Sequence, residues 1–381
     1  MDPVAHTLFG ATLAEAGLKN KTALAAGTLI IGANLPDVDA IAMFVGGDYS
    51  LLVRRGWTHG VLALMLWPFL LTGAMLLFDR VRRRRRSKSA DHADHPENGL
   101  RRIPPSPPVR TGWLLGISFL AVWSHPFLDW LNTYGIRLLM PFDGTWFYGD
   151  TLFIIDPWVW LLTGAAVVLA RSGSLPGIAG WFVLGAAATA LITGTAMVPL
   201  TARILWCAGV AAILVSRWRG WFRGRSRRLA AICLAALLGY VTLMLAGSRM
   251  TVREAGKEFS SRGIEIRRIM ASPRPARLFT RDGLAESDDY YYRFRVNWLK
   301  SDRFEQMGEP IPVEEPDEIV QMALESPEIR GFRNWMRFPA YEVQPLEDGW
   351  RVIIRDLRYA GPEQTEDSGI GVAVIEVAEN D

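Results

Sequence analysis

The chain has 381 residues, of which 50% are hydrophobic, with fifteen Trp and a net charge of +3. This apolar content exceeds what a soluble core of this length needs and is typical of a protein embedded in lipid. The two cysteines, Cys207 and Cys233, fall in apolar stretches, so neither a disulfide framework nor a thiolate zinc site is indicated.

Two short apolar stretches, residues 4–17 and 22–35, open the chain and are separated by a polar turn. Each is shorter than the roughly 20 residues that a membrane-spanning helix needs, since fourteen residues rise only about 21 Å. We predict a helical hairpin that dips into the bilayer and returns both of its ends to one face. His6 would then face the same surface as Asp37 and Asp39.

Longer apolar stretches follow, and most approach the length of a membrane-spanning helix. They lie at 59–78, 111–131, 158–171, 177–199, 203–216 and 229–247. Arginines at 80–88, at 171 and at 217–228 fall between them, and the positive-inside rule places all three groups in the cytoplasm. The run from Arg82 to Arg86 directly follows an apolar stretch, which favours membrane anchoring over nucleic-acid binding.

The polar, proline-rich segment 87–110 is predicted to be a flexible cytoplasmic loop within a membrane domain at 1–248. Its histidines, His92 and His95, are interpreted as solvated residues rather than as a metal site. The same topology puts the loop 132–157 and all residues after about 247 on the outer side.

Residues 249–381 are predicted to form a small exported α+β domain. Alternating stretches at 290–298, 350–354 and 371–377 are typical of strands, and residues 347–349 supply a hairpin turn. A short helix is expected to start near Pro316. The fold class is therefore mainly α, a polytopic helical membrane domain followed by a small soluble α+β domain.

Ionisable residues concentrate in or beside the membrane segments, where they cost energy and are usually paired or functional. They are His6, Asp37, Asp39, Arg54, Arg55, His59, His125 and Asp129. Pro36 should end a helix, and in an extended continuation Asp37 and Asp39 would point the same way. His125 and Asp129 are four apart and share a helix face, and Pro126 between them should kink that helix.

The predicted topology places all of these pieces at the outer face, so we expect a divalent-metal site there. Imidazole and carboxylate ligands suit zinc, manganese or iron, and the number of candidates leaves room for one or two ions. Metal-bound water would supply hydroxide for attack on a phosphoryl or acyl centre. Arg54 or Arg55 would hold a phosphate or neutralise charge. Asp39, Arg55 and Asp156 are the catalytic candidates, Asp156 as a base or a further ligand.

Each of these residues also has a structural interpretation: His6 as an interfacial residue, His59 as an N-terminal helix residue without a metal, and Arg54 and Arg55 as contacts to lipid headgroups. Asp37 and Asp39 are suitable helix caps, and Asp156 before Pro157 is typical of a helix start. His125 and Asp129 could pair only with each other. All of these residues are predicted to lie at the outer face of the membrane, and this common location favours a metal site over the structural interpretations.

The chain resembles the YdjM-like family of membrane-bound metal-dependent hydrolases. The resemblance lies in residues 1–7, Pro36 to Asp39, Arg55 to His59, His125 to Asp129, Thr133 to Gly135 and Pro141-Phe142, and it covers roughly residues 1–170. It implies a multi-helix membrane fold with a metal centre formed by His6, Asp37, Asp39, His59, His125 and Asp129. The chain departs from the family by having Gly60 where a serine commonly follows the histidine and Arg54 where a histidine often stands.

These observations favour a metal-dependent hydrolase in the inner membrane that acts on a lipid or lipid-linked phosphoester, with zinc or manganese as the cofactor. A non-enzymatic, metal-stabilised scaffold or sensor with a partner-binding exported domain is the main alternative. A transporter is a third interpretation, but it predicts polar groups at mid-depth in 177–199 and 229–247, which are almost free of them.

Overall fold

The computed structural model describes residues 1–91, 108–361 and 370–378. His92, His95 and most of the predicted loop 87–110 lie outside the described residues. The α-helices are α1 (Pro3–Glu15), α2 (Ala25–Gly32), α3 (Gly47–Val53), α4 (Val61–Asp91), α5 (Thr111–Trp130), α6 (Pro157–Arg171), α7 (Leu175–Gly194), α8 (Leu200–Arg219), α9 (Ser226–Ser261), α10 (Glu318–Glu325) and α11 (Arg330–Trp335). The strands are β1 (Arg268–Pro273), β2 (Thr280–Glu286), β3 (Tyr290–Asn297), β4 (Phe304–Gln306), β5 (Ile311–Pro312), β6 (Pro339–Leu346), β7 (Gly349–Asp356) and β8 (Val372–Ala378).

Five helices in the described part of the chain are long and apolar enough to cross a membrane: α4, α5, α7, α8 and α9. This confirms the predicted polytopic helical architecture. The predicted stretch 158–171 forms α6, which has 15 residues and is shorter than a full span. The α2 helix and the following 3-10 helix, Leu35–Phe44, meet at an angle of 43° and together have the apolar length of a span.

The N-terminal hairpin consists of α1 and α2. The Asp2 side chain caps α1 by accepting a hydrogen bond from the Ala5 amide at 3.0 Å. Gly10 lets the two helices approach closely, since a Cβ there would lie 2.5 Å from the Leu29 carbonyl oxygen. At the tip, Glu15 is buried and accepts a hydrogen bond from Arg171 at 2.8 Å. The hairpin therefore reaches the end of the helix bundle that carries the basic residues.

The backbone after Pro36 is not extended, contrary to the prediction. Residues Leu35–Phe44 form a 3-10 helix, in which Pro36 occupies an early position where its missing N–H costs nothing. A 3-10 helix turns about 120° per residue, so side chains two apart point in directions that differ by roughly 120° around the axis. Asp37 and Asp39 consequently point to different places.

The C-terminal region contains two antiparallel sheets, as expected for the predicted α+β domain. One follows the order β1-β2-β3-β4 with β5 beside β3, and the other follows β6-β7-β8. The predicted turn joins β6 and β7, where Leu346 pairs with Gly349. The predicted helix is α10, whose first turn is capped by Asp317 through the Val320 amide.

The connection between the two regions is α9, which continues through the predicted boundary at residue 248 to Ser261. Phe259, near the end of this helix, is fully buried against Phe294 and other residues of the first sheet. The division into domains at residue 248 thus stays a prediction, because the two regions share a helix.

The second sheet and its helices pack against the membrane domain. The Asp48 carboxylate at the start of α3 accepts hydrogen bonds from the Gly331 and Phe332 amides of α11, at 2.9 and 2.7 Å. Gly331 approaches α3 so closely that an added Cβ would overlap the Asp48 carbonyl oxygen. The C-terminal region therefore docks at the end of the bundle where α3 lies.

The loop between α5 and α6 forms a second contact with this region. Trp335 Nε1 donates a hydrogen bond to the Tyr134 carbonyl oxygen at 3.1 Å. Arg337 Nη1 lies 2.9 Å from Asp150 Oδ2. Burial raises the pKa of Asp150, and the Arg337 guanidinium offsets part of that shift.

Candidate metal centre

Four side chains from three elements converge at one point of the membrane domain. Asp37 comes from the 3-10 helix, His59 precedes α4, and His125 and Asp129 lie one turn apart on α5. One ligand atom from each lies within 4.8 Å of the others. His59, His125 and Asp129 are fully buried, whereas the Asp37 side chain keeps 12% of its surface exposed. This group could hold a metal ion.

The distances within the group fit a single ion. The two Nε2 atoms of His59 and His125 are 3.1 Å apart, and each lies 3.4 Å from Asp129 Oδ2. Asp37 Oδ1 lies 4.0 Å from His59 Nε2 and 3.7 Å from His125 Nε2. Metal bonds of about 2.0–2.2 Å in a tetrahedral arrangement separate ligand atoms by roughly 3.3–3.6 Å. The observed spacing needs only small adjustments to reach that value.

Hydrogen bonding at the outer ring nitrogens orients both imidazoles for ligation. His125 Nδ1 donates to the Ala33 carbonyl oxygen at 2.7 Å, since a carbonyl oxygen only accepts, and this leaves Nε2 facing the group. Thr58 Oγ1 donates to Asp39 and therefore accepts from His59 Nδ1 at 2.9 Å, which leaves the Nε2 atom of His59 facing the group. Both rings are thus held with Nε2 toward the centre of the group, which is the orientation that outer hydrogen bonds give to metal-ligating histidines.

The Asp129 carboxylate supplies the remaining evidence for a cation. Its Oδ2 atom is buried and accepts no hydrogen bond within the described residues, although it lies 3.1 Å from Arg55 Nε. A buried carboxylate oxygen without a hydrogen bond costs free energy unless a cation coordinates it. The donor set, together with an oxygen that lies 3.4 Å from both Nε2 atoms as well as beside Arg55, fits a divalent metal ion.

Asp39 lies behind His59 rather than among the four ligand atoms. Its Oδ2 accepts hydrogen bonds from Thr58 Oγ1 at 2.6 Å and from the Arg55 amide at 2.9 Å, and it lies 3.3 Å from His59 Nδ1. This is the carboxylate–histidine arrangement that fixes ring orientation and raises ligand basicity in metal sites. The structure thus gives the two aspartates different places: Asp37 lies among the ligand atoms, and Asp39 lies behind His59.

His6 is adjacent to the group but does not belong to it. Its ring stacks on His125 with centroids 3.8 Å apart, and its Nε2 lies 3.2 Å from Asp129 Oδ1. The amino group of Met1 contacts the same carboxylate oxygen. His6 therefore supports two of the four side chains from behind.

Arg55 is a buried partner of Asp129. Its Nη2 donates to Asp129 Oδ1 at 3.1 Å, while Nη1 donates to Asn132 Oδ1 at 3.0 Å. The guanidinium also lies over the Tyr134 ring, 4.5 Å from its centroid. These contacts position the carboxylate of Asp129, and they leave the side chain little freedom to reach another group.

Arg54 is placed differently from its neighbour, since its side chain is 24% exposed and lies 3.8 Å from Asp37 Oδ1. It stands at the accessible side of the group, next to the least buried ligand candidate. Gly60, the other departure from the family pattern, packs so closely on the Met140 carbonyl oxygen that a side chain would not fit there. The serine side chain that is common in the family at this position would therefore not fit in this protein.

Asp156 is not brought to the group. Its side chain caps α6 by accepting hydrogen bonds from the Trp158 and Val159 amides, and its other oxygen accepts from the Tyr240 hydroxyl at 2.7 Å. These contacts agree with the helix-start interpretation of the Asp-Pro pair.

Sequence reasoning did not single out Asn132 or the carbonyl group of Ala33. Asn132 follows Asp129 by three residues and accepts from Arg55, and the Ala33 carbonyl oxygen orients His125. A polar residue one turn beyond a predicted ligand is a usable signal. A backbone carbonyl group is present at every position and therefore gives no such signal in the sequence.

Comparison with known proteins gives two matches. The YdjM inner membrane protein family matches residues 1–199 of the chain. An uncharacterized protein of Bacillus subtilis, YfhP, is 24% identical over 149 residues, which cover 39% of this chain and 37% of that protein. The alignment thus spans just over a third of the relative. No solved structure matches.

Proposed function

The chain belongs to the YdjM inner membrane protein family, and from this premise and the geometry of the buried group we propose that it is a metal-dependent hydrolase. The proposed substrate is a lipid or lipid-linked phosphoester. The observation that carries the proposal is the convergence of the His59 and His125 Nε2 atoms, 3.1 Å apart, on a buried Asp129 oxygen that accepts no hydrogen bond within the described residues.

A divalent ion, zinc or manganese in this proposal, would be held by Asp37, His59, His125 and Asp129 and would supply activated water for hydrolysis. Asp39 holds the orientation of His59, and Arg55 holds that of Asp129. Arg54 is the cation nearest the accessible side and is suited to bind an anionic group of the substrate. Asp37, which is partly exposed, lies beside Arg54 on the same side of the group.

A lipid substrate is supported by the surroundings of the group. The adjoining 3-10 helix exposes large apolar side chains. Phe44 is 91% exposed and Ile41 is 64% exposed. The Trp57 ring, two residues before His59, is also exposed. Exposed aromatic and apolar residues at one end of a helix bundle are typical of the membrane–water interface. A site at that level meets the phosphoesters of lipid headgroups.

The test is metal analysis of the purified full-length protein together with hydrolysis assays on phosphoester and acyl-ester lipids. We expect bound zinc or manganese and metal-dependent hydrolysis of a phosphoester. His59→Ala should lose both, because it removes a buried ligand. Asp156→Asn is the matched control, since Asn also caps a helix and lies outside the group, and it should keep both. Full hydrolytic activity in His59→Ala would dismiss this site as the catalytic centre.

A metal-stabilised scaffold is the second candidate, favoured by the number of protein ligands. Structural zinc sites use four protein ligands, whereas catalytic sites keep a position for water. If all four side chains bind the ion at once, its coordination is closed. In that case His59→Ala would lower the thermal stability, and no ester would be hydrolysed by the wild-type protein.

A further inference from the structure

A cavity of about 560 Å³ lies between the membrane domain and the C-terminal region. Met43, Leu51 and Arg54 form the wall on the membrane-domain side. The opposite wall comes from Phe332 of α11 and from β8 with the preceding Ile370. This volume is within the roughly 300–1,000 Å³ of small-molecule sites, which are mostly apolar with a few placed polar groups.

Arg54 connects this cavity to the four-residue group. Arg54 lines the cavity, and its guanidinium lies 3.8 Å from Asp37 Oδ1 and 4.0 Å from Asp39 Oδ1. Both distances are longer than a hydrogen bond, and the Arg54 side chain is 24% exposed, so a ligand can reach its guanidinium. A guanidinium with unused donors binds phosphate well.

The acidic residues of the cavity do not compete for this cation. The Asp48 carboxylate is occupied by the Gly331 and Phe332 amides, and Glu328 is exposed at the solvent side. The remaining lining is mainly aliphatic or aromatic. Phe44, which is 91% exposed, follows Met43 directly, so this wall continues into the apolar surface beside the site.

We propose that the cavity binds the apolar chain of a phosphate-bearing amphiphile, whose phosphate is held by Arg54 at the edge of the four-residue group. The proposal deepens the proposed function and rests on it for the chemical class of the substrate. One wall belongs to α11 and β8, which lie outside the family match at residues 1–199. The C-terminal region of the protein thereby selects which alkyl chain the amphiphile carries.

The test is a binding measurement without metal or turnover. Full-length protein in lipid nanodiscs with excess EDTA is titrated with decyl phosphate by calorimetry, and inorganic phosphate is titrated in parallel. We expect decyl phosphate to bind and Arg54→Gln to weaken its affinity about tenfold, the effect of losing a charged hydrogen bond. Ile370→Asp, at the partly exposed C-terminal wall, should weaken it severalfold by placing a carboxylate beside the chain.

Two surface variants serve as matched controls. Arg267→Gln removes an exposed arginine and Leu299→Asp adds a carboxylate at an exposed leucine, both away from the cavity. Both should bind like the wild type and report the partition of the probe into lipid. Equal affinities in all variants, equal affinity for inorganic phosphate, or no binding by the wild type would overturn the proposal.

The outcome is independent of hydrolysis. Binding with the expected variant pattern but no hydrolysis of any ester would reject the proposed enzyme and keep the amphiphile site. If the protein hydrolyses an ester but Arg54→Gln and Ile370→Asp bind decyl phosphate like the wild type, the enzyme proposal stands and the cavity is rejected as the site for the alkyl chain.

Discussion

Arg55 and Asp129 form a buried ion pair in which the guanidinium lies 3.1 Å from each carboxylate oxygen. Both side chains are almost fully buried, so neither charge can be compensated by water. The neighbouring Arg54 is partly exposed and has no comparable role in the fold. This contrast between adjacent arginines leads to a stability prediction.

Arg55→Gln is expected to lower the free energy of unfolding by about 3–5 kcal/mol, because it removes one partner of a buried ion pair. Arg54→Gln should change it by no more than about 0.5 kcal/mol, as is usual for partly exposed positions. Thermal unfolding of both variants in the same detergent measures the difference. Indistinguishable midpoints would show that Arg55 does not stabilise the buried carboxylate.

Asp39→Asn tests whether Asp39 acts through His59. The amide still accepts hydrogen bonds but no longer carries the charge that orients the ring and raises its basicity, so zinc affinity should fall about 10- to 100-fold. Competition with a fluorescent chelator measures this affinity. Asp79→Asn, which affects an ion pair with Arg83 on the surface of α4, is the control and should leave it unchanged. A zinc affinity equal to that of the wild type would refute the positioning role.

The topology is tested by reporter fusion. The basic clusters at 80–88 and 217–228 are expected in the cytoplasm, and the residues after α9 are therefore expected on the outer side. A reporter fused after Asp381 that requires export should be active, and the same reporter fused in the loop between α8 and α9 should be inactive. The reverse pattern would overturn both the outward orientation of the C-terminal region and that of the four-residue group.

Docking of the C-terminal region depends on the absence of a side chain at Gly331. Gly331→Ala should weaken the contact with α3, since the new Cβ overlaps the Asp48 carbonyl oxygen. In Gly256→Ala on α9 the new Cβ would point into open space, so the free energy of unfolding should stay the same or rise by up to about 1 kcal/mol. Limited proteolysis compares the two. Equal resistance to protease in both variants would show that this contact does not hold the region in place.

The sequence by itself determined the helical membrane architecture and most of the residues of the candidate centre. The length of an apolar run is tied to bilayer thickness, so α4, α5, α7, α8 and α9 were predictable from composition alone. The pair His125 and Asp129 followed from the period of a helix. Three of the strands, β3, β7 and β8, and the β6–β7 turn followed from alternation and turn residues in the same way.

The tertiary structure alone decided the roles within the centre. Asp37 and Asp39 differ because a 3-10 helix, not an extended chain, carries them, and local propensity does not distinguish the two after Pro36. Arg54 and Arg55 differ because only one of two adjacent side chains can point at Asp129. The cavity wall depends on Asp48 meeting Gly331 across 283 positions of sequence. Such a contact is set by packing of distant segments, for which a single sequence has no local signal.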